Sequence, residues 1–287
     1  FWIQWQQLRN DQRSLKAFRS AGYFRQLRGL QRIGWLVPYL FGASPAVCES
    51  FFDLNEPIGL EYFGHHTYYQ SYATSLRMGD IGYQNKKEGR TGVHIVYDDV
   101  NTYVERLEQA INTACPVYES MGVVKDGEYQ QLNANQLQIE NEYYSSVRPK
   151  AVLQGMEKPI RALQRAGVEY VELRSVDVNP FEPVGVDLEQ LRFLEAFMIY
   201  NLMVENPPIS AAETDINDAN ASRVAHRGRE PGLTLRRDGD DVPLKQWGHE
   251  ILSDMASVCE MLDEGTGASA YADSLVSQRA KLDHPEL

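Results

Sequence analysis

The segment GVEYVELRSVDVNPFEP, residues 167–183, decides the fold and the chemistry of this chain. Apolar and polar side chains nearly alternate over residues 170–178 and β-branched residues are frequent, which predicts a β-strand. On such a strand Tyr170, Glu172 and Arg174 share one face because successive side chains point to opposite sides. Glu172 and Arg174 are then about 7 Å apart on the same side of the sheet.

The pair of Glu172 and Arg174 has two interpretations. A carboxylate at this place could hold a metal ion, beside a guanidinium that could bind a phosphate or another carboxylate. These charged side chains could equally belong to a cross-strand ion pair on a solvated sheet face. The strand by itself leaves both interpretations open.

Composition is that of an ordinary soluble globular protein, with 43% hydrophobic and 24% charged residues in a chain of 287. The formal charge of −12 argues against a dedicated nucleic-acid-binding protein, which would carry a basic surplus. The N-terminal helix is nevertheless basic, and such a helix binds nucleic acid or an anionic membrane, or more often forms a solvated face beside acidic neighbours. Its basic residues are Arg9, Arg13, Lys16, Arg19, Arg25, Arg28 and Arg32.

The motifs present and absent in the sequence limit the kinds of site that the chain could contain. Cys48, Cys115 and Cys259 lie far apart and have no zinc-site or disulfide-framework spacing, which favours a reducing cytoplasmic setting. The longest apolar run, residues 34–43, is interrupted by Pro38 and is too short to cross a bilayer. Phosphate-loop, dinucleotide, nucleophile-elbow and HExxH motifs do not occur. Any phosphate chemistry would therefore use metal-binding carboxylates and arginines on a sheet.

The remaining periodicity predicts an α+β fold with an antiparallel sheet packed against helices, since strands and helices do not alternate regularly. Asp187 is predicted to cap a long helix, with Gln190 three residues later. A further strand is predicted over residues 131–144, continuing into residues 145–150. Helices are predicted over residues 14–37 (ended by Pro38), 100–111, 157–166, 188–204 and 245–264.

Six strings occur in one order along the chain: SAGYFR, GWLVPYLFGASPAVC, YATSLRMGDIGYQNK, LQIENEYYSSVRPK, GVEYVELRSVDVNPFEPVGVD and EPGLTL. Together they resemble the proteobacterial glutamate–cysteine ligase family, also called γ-glutamylcysteine synthetases, from about Ser20 to beyond Leu262. The resemblance implies a glutamine synthetase/guanidino kinase-like α+β fold. It also implies that residues 1–287 are the central and later part of a single catalytic domain, truncated at both ends.

The resemblance implies an activity as well. Family members join the γ-carboxylate of L-glutamate to the amine of L-cysteine through a γ-glutamyl phosphate, using ATP and Mg²⁺, in the first step of glutathione synthesis. Small-molecule substrates, a cytoplasmic location, no nucleic-acid or membrane partner and a monomeric state are the corresponding expectations.

Site residues follow from the matched strings. Glu172 matches the family's magnesium-binding glutamate, and Arg174 matches the arginine that attends the transferred phosphate, a catalytic and nucleotide-binding role. Arg77, in the TSLR string, matches the arginine that pairs with the substrate glutamate. Tyr83 and Tyr144 match tyrosines on the cysteine side of the pocket. The polar loop of residues 85–92 is a candidate lid over the acyl phosphate.

Alternatives remain open. In the family, further metal ligands and much of the nucleotide site come from a region that precedes the segment matching Phe1, and the chain does not begin with Met. We therefore expect the 287 residues alone to be inactive or nearly so. A related ligase with a different amine acceptor, or a non-catalytic interaction module that uses the basic N-terminal helix, would share most of these features.

Overall fold

A computed structural model describes residues 2–10, 12–51, 59–81 and 94–284 and divides the chain into two compact units, with the boundary inside the segment of residues 167–183 between Arg174 and Ser175. The first unit comprises Phe1–Arg28, Gln84–Arg174 and Pro207–Ile209. The second comprises Gly29–Tyr83, Ser175–Asn206 and Ser210–Leu287. The expectation that the whole chain is part of one catalytic domain stays a prediction.

Helices dominate the described residues. None of these helices has both the length and the apolar composition that crossing a bilayer requires. The α-helices are α1 (Trp2–Arg9), α2 (Leu15–Ile33), α3 (Leu36–Phe41), α4 (Val100–Asn112), α5 (Pro116–Met121), α6 (Pro159–Ala166), α7 (Leu188–Met203), α8 (Ala211–Arg227), α9 (Leu244–Asp254), α10 (Ala256–Thr266) and α11 (Ala270–Asp283). Short 3₁₀ turns are formed by Glu49–Phe51, Leu76–Met78 and Glu140–Glu142.

All strand pairs in the described residues are antiparallel, which confirms the predicted α+β class. One sheet has three strands in the order β1-β3-β2, and the others are the two-stranded pairs β4-β5, β6-β7 and β8-β9. The strands are β1 (Ala46–Cys48), β2 (Glu61–Gly64), β3 (Thr67–Tyr69), β4 (Val124–Lys125), β5 (Glu128–Tyr129), β6 (Val147–Lys150), β7 (Tyr170–Leu173), β8 (Thr234–Arg237) and β9 (Asp240–Pro243).

Both strand predictions need correction. Strand β7 ends at Leu173 rather than residue 178, because its partner β6 begins at Val147 and the ladder stops one hydrogen bond later, from Arg174 N to Ser146 O. The predicted continuation over residues 145–150 contains strand β6, but residues 131–144 contain no strand. Side-chain amides there bond the backbone instead, as where Gln138 Oε1 accepts from Leu132 N at 2.8 Å. Such local side-chain bonds compete with a sheet ladder.

The helix predictions fare better. Asp187 caps α7 by accepting a 2.6 Å hydrogen bond from Gln190 N, and α6 lies where it was expected. Helix α2 ends at Ile33, and Pro38 falls within the first turns of α3, where a proline is tolerated. The helix predicted over residues 245–264 is two helices that meet at the buried Met255, whose ψ of −17° departs from the α-helical value.

The basic face of α2 binds backbone carbonyls within the first unit. Lys16 Nζ donates to Gln164 O at 2.6 Å, and Arg19 Nη2 donates to Ala166 O at 3.0 Å. Both carbonyls belong to the last turn of α6, where the helix dipole favours positive charge. These cations therefore hold α2 against α6 through backbone carbonyls, rather than through the acidic neighbours that the sequence predicted.

Each unit has its own apolar core. In the first, Phe24 of α2 meets Tyr103 of α4 edge-on, with ring centroids 5.9 Å apart. In the second, Phe193 and Phe197 of α7 stack with centroids 6.0 Å apart, and both side chains are fully buried. Burial of these aromatic faces supplies most of the packing energy of the helices that carry them.

Replacement of Phe197 by alanine should lower the free energy of unfolding by about 3 to 5 kcal/mol, because a fully buried ring is removed and a cavity remains. Phe181, which is 92% exposed in the same unit, is the matched control, and its replacement should change stability by less than about 0.5 kcal/mol. Urea unfolding followed by circular dichroism measures both. Equal losses in the two variants would contradict the assignment of the core.

Candidate functional site

A charged sheet face in the first unit gathers several of the predicted residues. Strands β6 and β7 pair so that Glu172 lies directly opposite Arg148 and Tyr170 lies opposite Lys150. Directly opposed residues share a face of an antiparallel pair. Glu172 Oε2 is 3.1 Å from Lys150 Nζ, and Glu172 Oε1 is 3.9 Å from Arg174 Nε. One carboxylate therefore lies among cations from both strands.

Arg174 is held in place by an aromatic ring. Its guanidinium carbon lies 4.5 Å from the ring centroid of Tyr144, within the range of a cation–π contact. Its backbone N–H donates to Ser146 O at 2.8 Å. The structure thus brings together three predicted residues, Glu172, Arg174 and Tyr144, and orients the guanidinium with a ring and a backbone anchor.

Exposure decides how firmly this cluster is fixed. The side chains of Glu172, Arg174 and Lys150 are 41%, 28% and 25% exposed. Ion pairs that remain in contact with water contribute roughly 0 to 1 kcal/mol. These pairs can therefore exchange partners at small cost when an anionic ligand or a cation arrives.

Arg148 differs because it is buried. It is 6% exposed, and its Nη2 donates to Glu140 O at 3.3 Å. Glu140 is also buried, and its Oε2 accepts from Ile160 N at 2.8 Å in the first turn of α6, as anions do at helix N-termini. Arg148 lies on the same face as Glu172 but is covered, so it adds positive charge to that face without being a surface contact itself.

Arg77 lies in the second unit, on the 3₁₀ turn Leu76–Met78. Its Nε donates to Asp177 Oδ1 at 2.7 Å, and its Nη2 donates to Val176 O at 3.0 Å. The guanidinium is 29% exposed, whereas the Asp177 carboxylate is 4% exposed. A buried carboxylate thus fixes the direction of a partly exposed guanidinium.

Asp177 has further donors. Its Oδ2 accepts from Ser44 Oγ at 2.7 Å and from Ala43 N at 2.9 Å. Burial acts to raise the pKa of this carboxyl, but the hydrogen bonds from Ser44, Ala43 and Arg77 outweigh burial and lower the pKa below its ordinary value. Asp177 is therefore ionised in the folded protein at neutral pH.

Sequence reasoning missed Lys150, Arg148 and Asp177. The string VRPK, residues 147–150, alternates in the same way as YVEL, residues 170–173, and pairing the two would have revealed both cations. Asp177 lies in the opening segment, but its carboxylate points to partners that are distant along the chain. Of the other predicted positions, Tyr83 and the loop of residues 85–92 lie outside the described residues.

The described residues offer one candidate ligand for a metal ion, the carboxylate of Glu172. In the ranges that the structure describes, no group of three or more His, Cys, Asp and Glu side chains could hold a metal ion. Glu172 has the oxygen donors that Mg²⁺ prefers and is accessible, and the cations beside it suit the phosphate oxygens that accompany Mg²⁺ in nucleotide sites. The residues present fit one carboxylate ligand of such a site.

Replacement of Asp177 by asparagine should lower the free energy of unfolding at pH 7 by about 2 to 4 kcal/mol, because the buried charge that pairs with Arg77 is lost. Since the folded-state pKa is depressed, this contribution is complete above the unfolded-state pKa of about 3.9 and is lost as the pH falls through the folded-state value. The difference between wild type and variant should therefore shrink below about pH 4.

Urea unfolding from pH 7 downward measures that difference, with the exposed Asp240 replaced by asparagine as the control. The Asp240 variant should track the wild type at every pH. A difference for the Asp177 variant that stays constant down to pH 3 would contradict ionisation of the buried carboxylate.

The sequence of the chain is similar to that of known proteins. Residues 1–224 match the family model described as glutamate–cysteine ligase. The glutamate–cysteine ligase of Pseudomonas paraeruginosa is 44% identical over 286 residues, which are 100% of this chain and 54% of that enzyme. That of Alcanivorax borkumensis is 45% identical over 290 residues, 99% of this chain and 55% of the enzyme. The chain therefore spans about half the length of the curated relatives it matches.

Solved structures agree on the fold. The crystal structure of glutamate–cysteine ligase from Francisella tularensis in complex with AMP superposes with a TM-score of 0.83 at 35% identity, over 92% of this chain and 52% of that one. A bifunctional glutathione synthetase from Pasteurella multocida gives a TM-score of 0.67 at 22% identity, over 99% of this chain and 30% of that one, and supports the fold alone. These matches confirm the resemblance drawn from the six strings: the chain belongs to the glutamate–cysteine ligase family.

Proposed function

We propose that this chain provides the phosphate-binding sheet face and the glutamate-binding turn of an ATP-dependent glutamate–cysteine ligase. The observation that carries the proposal is Glu172 within ion-pair distance of Lys150 and Arg174, with Arg148 on the opposite strand. A face with three cations and one carboxylate suits a polyphosphate and the metal that accompanies it. The family to which the chain belongs supports the same assignment.

The chemistry explains why such a face is needed. A carboxylate acylates an amine poorly because oxide is a poor leaving group, and transfer of a phosphoryl group from ATP to the γ-carboxylate of glutamate creates a better one. The cysteine amine then attacks the acyl carbon, and phosphate leaves. Catalysis of such a transfer consists mainly of positioning and neutralising charge. Arg174 and Lys150 would bind phosphoryl oxygens, and the ring of Tyr144 would hold the Arg174 guanidinium in position.

We propose Mg²⁺ as the metal ion that Glu172 binds. Glu172 would hold the ion through its carboxylate oxygens, exchanging its weak pair with Lys150 for the metal. When bound, Mg²⁺ neutralises charge on the nucleotide's phosphates. Lys150 would then be released toward the phosphates, so the same exchange provides one ligand for the metal and one cation for the nucleotide.

Arg77 would bind a carboxylate of the substrate glutamate. A guanidinium recognises carboxylates through paired donors, and its direction here is set by Asp177 and by Val176 O. Tyr83 and Tyr144 would lie on the cysteine side of the pocket, as the matched strings imply. A different amine acceptor remains the second ligase hypothesis.

The remaining expectations concern the cellular location, the partners and the oligomeric state. Cys48, Cys115 and Cys259 are all free, which is consistent with the proposed reducing cytoplasm. Partners would be L-glutamate, L-cysteine and ATP, and the monomeric state stays a prediction.

A chimaera tests the activity. In it, these 287 residues replace the matching 286-residue stretch of the Pseudomonas paraeruginosa ligase, so that the rest of the family polypeptide is supplied. We expect glutamate-, cysteine- and ATP-dependent formation of γ-glutamylcysteine and ADP, and little or none from the 287 residues alone. Assays with 2-aminobutyrate and ammonia separate the cysteine ligase from a relative with another acceptor. A folded chimaera that forms no γ-glutamyl product with any of the amines would contradict the proposal.

Glu172→Gln in that chimaera tests the sheet face. The change keeps the shape and removes the charge, so turnover should fall by about 100-fold or more, as when one electrostatic group of an active site is removed. Stability should change by less than about 1 kcal/mol because the carboxylate is partly exposed. Glu128→Gln, at an exposed position of β5, is the matched control and should leave turnover unchanged. Wild-type turnover in the Glu172 variant would refute the metal-binding role.

A further inference from the structure

A histidine that no catalytic role uses holds the segment that carries Arg77. His226 lies in the last turn of α8 within the second unit, and its side chain is 18% exposed. Its Nε2 donates to Asp80 Oδ1 at 2.6 Å, and its Nδ1 lies 2.8 Å from Gln70 Oε1. Asp80 is three residues after Arg77 and two residues after the end of its turn. The ring therefore ties the far side of that turn to a helix.

The same end of α8 binds the backbone that precedes the turn. Thr74 N and Ser75 N both donate to Ala225 O, at 2.9 and 3.2 Å, and Thr74 Oγ1 donates to Val224 O at 2.9 Å. The last carbonyls of a helix have no intrahelical partner and need donors from elsewhere. The amides of residues 74 and 75 supply donors to Ala225 O, whereas Val224 O accepts from Gly228 N at 2.9 Å and takes Thr74 Oγ1 as a second donor. The C-terminal end of α8 therefore anchors the segment that leads to Arg77.

Gly79 is independent evidence that the His226 ring packs closely against this segment. Its φ of −84° and ψ of −175° are open to any L-residue, so backbone conformation does not require glycine there. A Cβ at this position would instead lie 2.5 Å from His226 Nε2 and 3.1 Å from His226 Cδ2. The residue after the turn is free of a side chain because the imidazole occupies that space.

We propose that His226 is a positioning residue for Arg77. Asp177 fixes the guanidinium itself, whereas His226 fixes the backbone of the turn through Asp80 and through close packing on Gly79. The inference rests on the glutamate-binding role proposed for Arg77. A shifted turn would move the guanidinium relative to the substrate carboxylate while leaving the sheet face of Glu172 and Arg174 unchanged.

The kinetic test uses the chimaera described above. His226→Asn removes the donor to Asp80, and we expect KM for glutamate to rise about tenfold, the effect of about 1.4 kcal/mol of lost binding. KM for ATP and kcat should stay within about threefold, since an interaction lost equally from bound substrate and transition state raises KM alone. His226→Gln places an amide N–H near the position of Nε2 and should restore most of the affinity.

His249→Gln is the matched control. His249 also pairs with an aspartate in the second unit, with Nε2 3.0 Å from Asp283 Oδ1, and its loss should leave KM for glutamate unchanged. A normal KM for glutamate in the folded His226→Asn variant would overturn the proposal. So would a loss confined to kcat, or an equal rise in KM for all three substrates.

A double-mutant cycle tests the steric part. Gly79→Ala alone should raise KM for glutamate as His226→Asn does, because the new methyl group displaces the ring. In the His226→Ala background, where the ring is absent, Gly79→Ala should have no further effect. Additive effects of the two substitutions would show that they act independently and would overturn this part of the argument.

Hydrogen–deuterium exchange on the 287-residue chain provides a readout without catalysis. The amides of residues 74–79, which are held by Ala225 O, Ser44 O and the 3₁₀ turn, should exchange faster in His226→Asn than in wild type or His249→Gln. Unchanged protection would overturn the proposal even if the chimaera is inactive. An inactive wild-type chimaera alone would instead count against the ligase function and leave this measurement decisive.

Discussion

The buried carboxylate of Asp177 is the constraint on which the Arg77 turn of the second unit depends. It accepts hydrogen bonds from Arg77, Ser44 and Ala43, three groups that come from two other segments of the chain. Burial alone would raise the pKa of this carboxyl, and its hydrogen-bond donors, which also include Ser75, lower that pKa instead. Since a buried charge without partners is costly, the three segments are stable only in the arrangement that satisfies it.

The two charged groupings of the chain differ in how tightly they are fixed. Around Asp177 the carboxylate is buried, and removing a partner leaves an unsatisfied charge, so the geometry is rigid. Around Glu172 the paired side chains are partly exposed, and each exchange of partners costs little. A rigid guanidinium suits the proposed recognition of one substrate carboxylate, whereas an adjustable cluster suits the proposed uptake and release of a nucleotide and its metal.

How far the sequence predicts the structure depends on how local the deciding interaction is. The Asp187 cap and helix α6 were predicted correctly because the residues that decide them are neighbours along the chain. The strand predicted over residues 131–144 was wrong because alternation alone supplies no partner strand, and Asn and Gln side chains there bond the backbone instead. For the same reason the strand starting at Tyr170 was predicted several residues too long.

The sequence by itself determined the family, the α+β class and the shared face of Glu172 and Arg174, because ordered motifs and a two-residue period are properties of the chain alone. Only the tertiary structure decided that Arg148 and Lys150 join that face, that Asp177 holds Arg77, and that His226 excludes a side chain at Gly79. Each of these contacts joins residues that are far apart along the sequence. Burial and strand pairing determine which polar groups come into contact, and local periodicity in the sequence predicts neither.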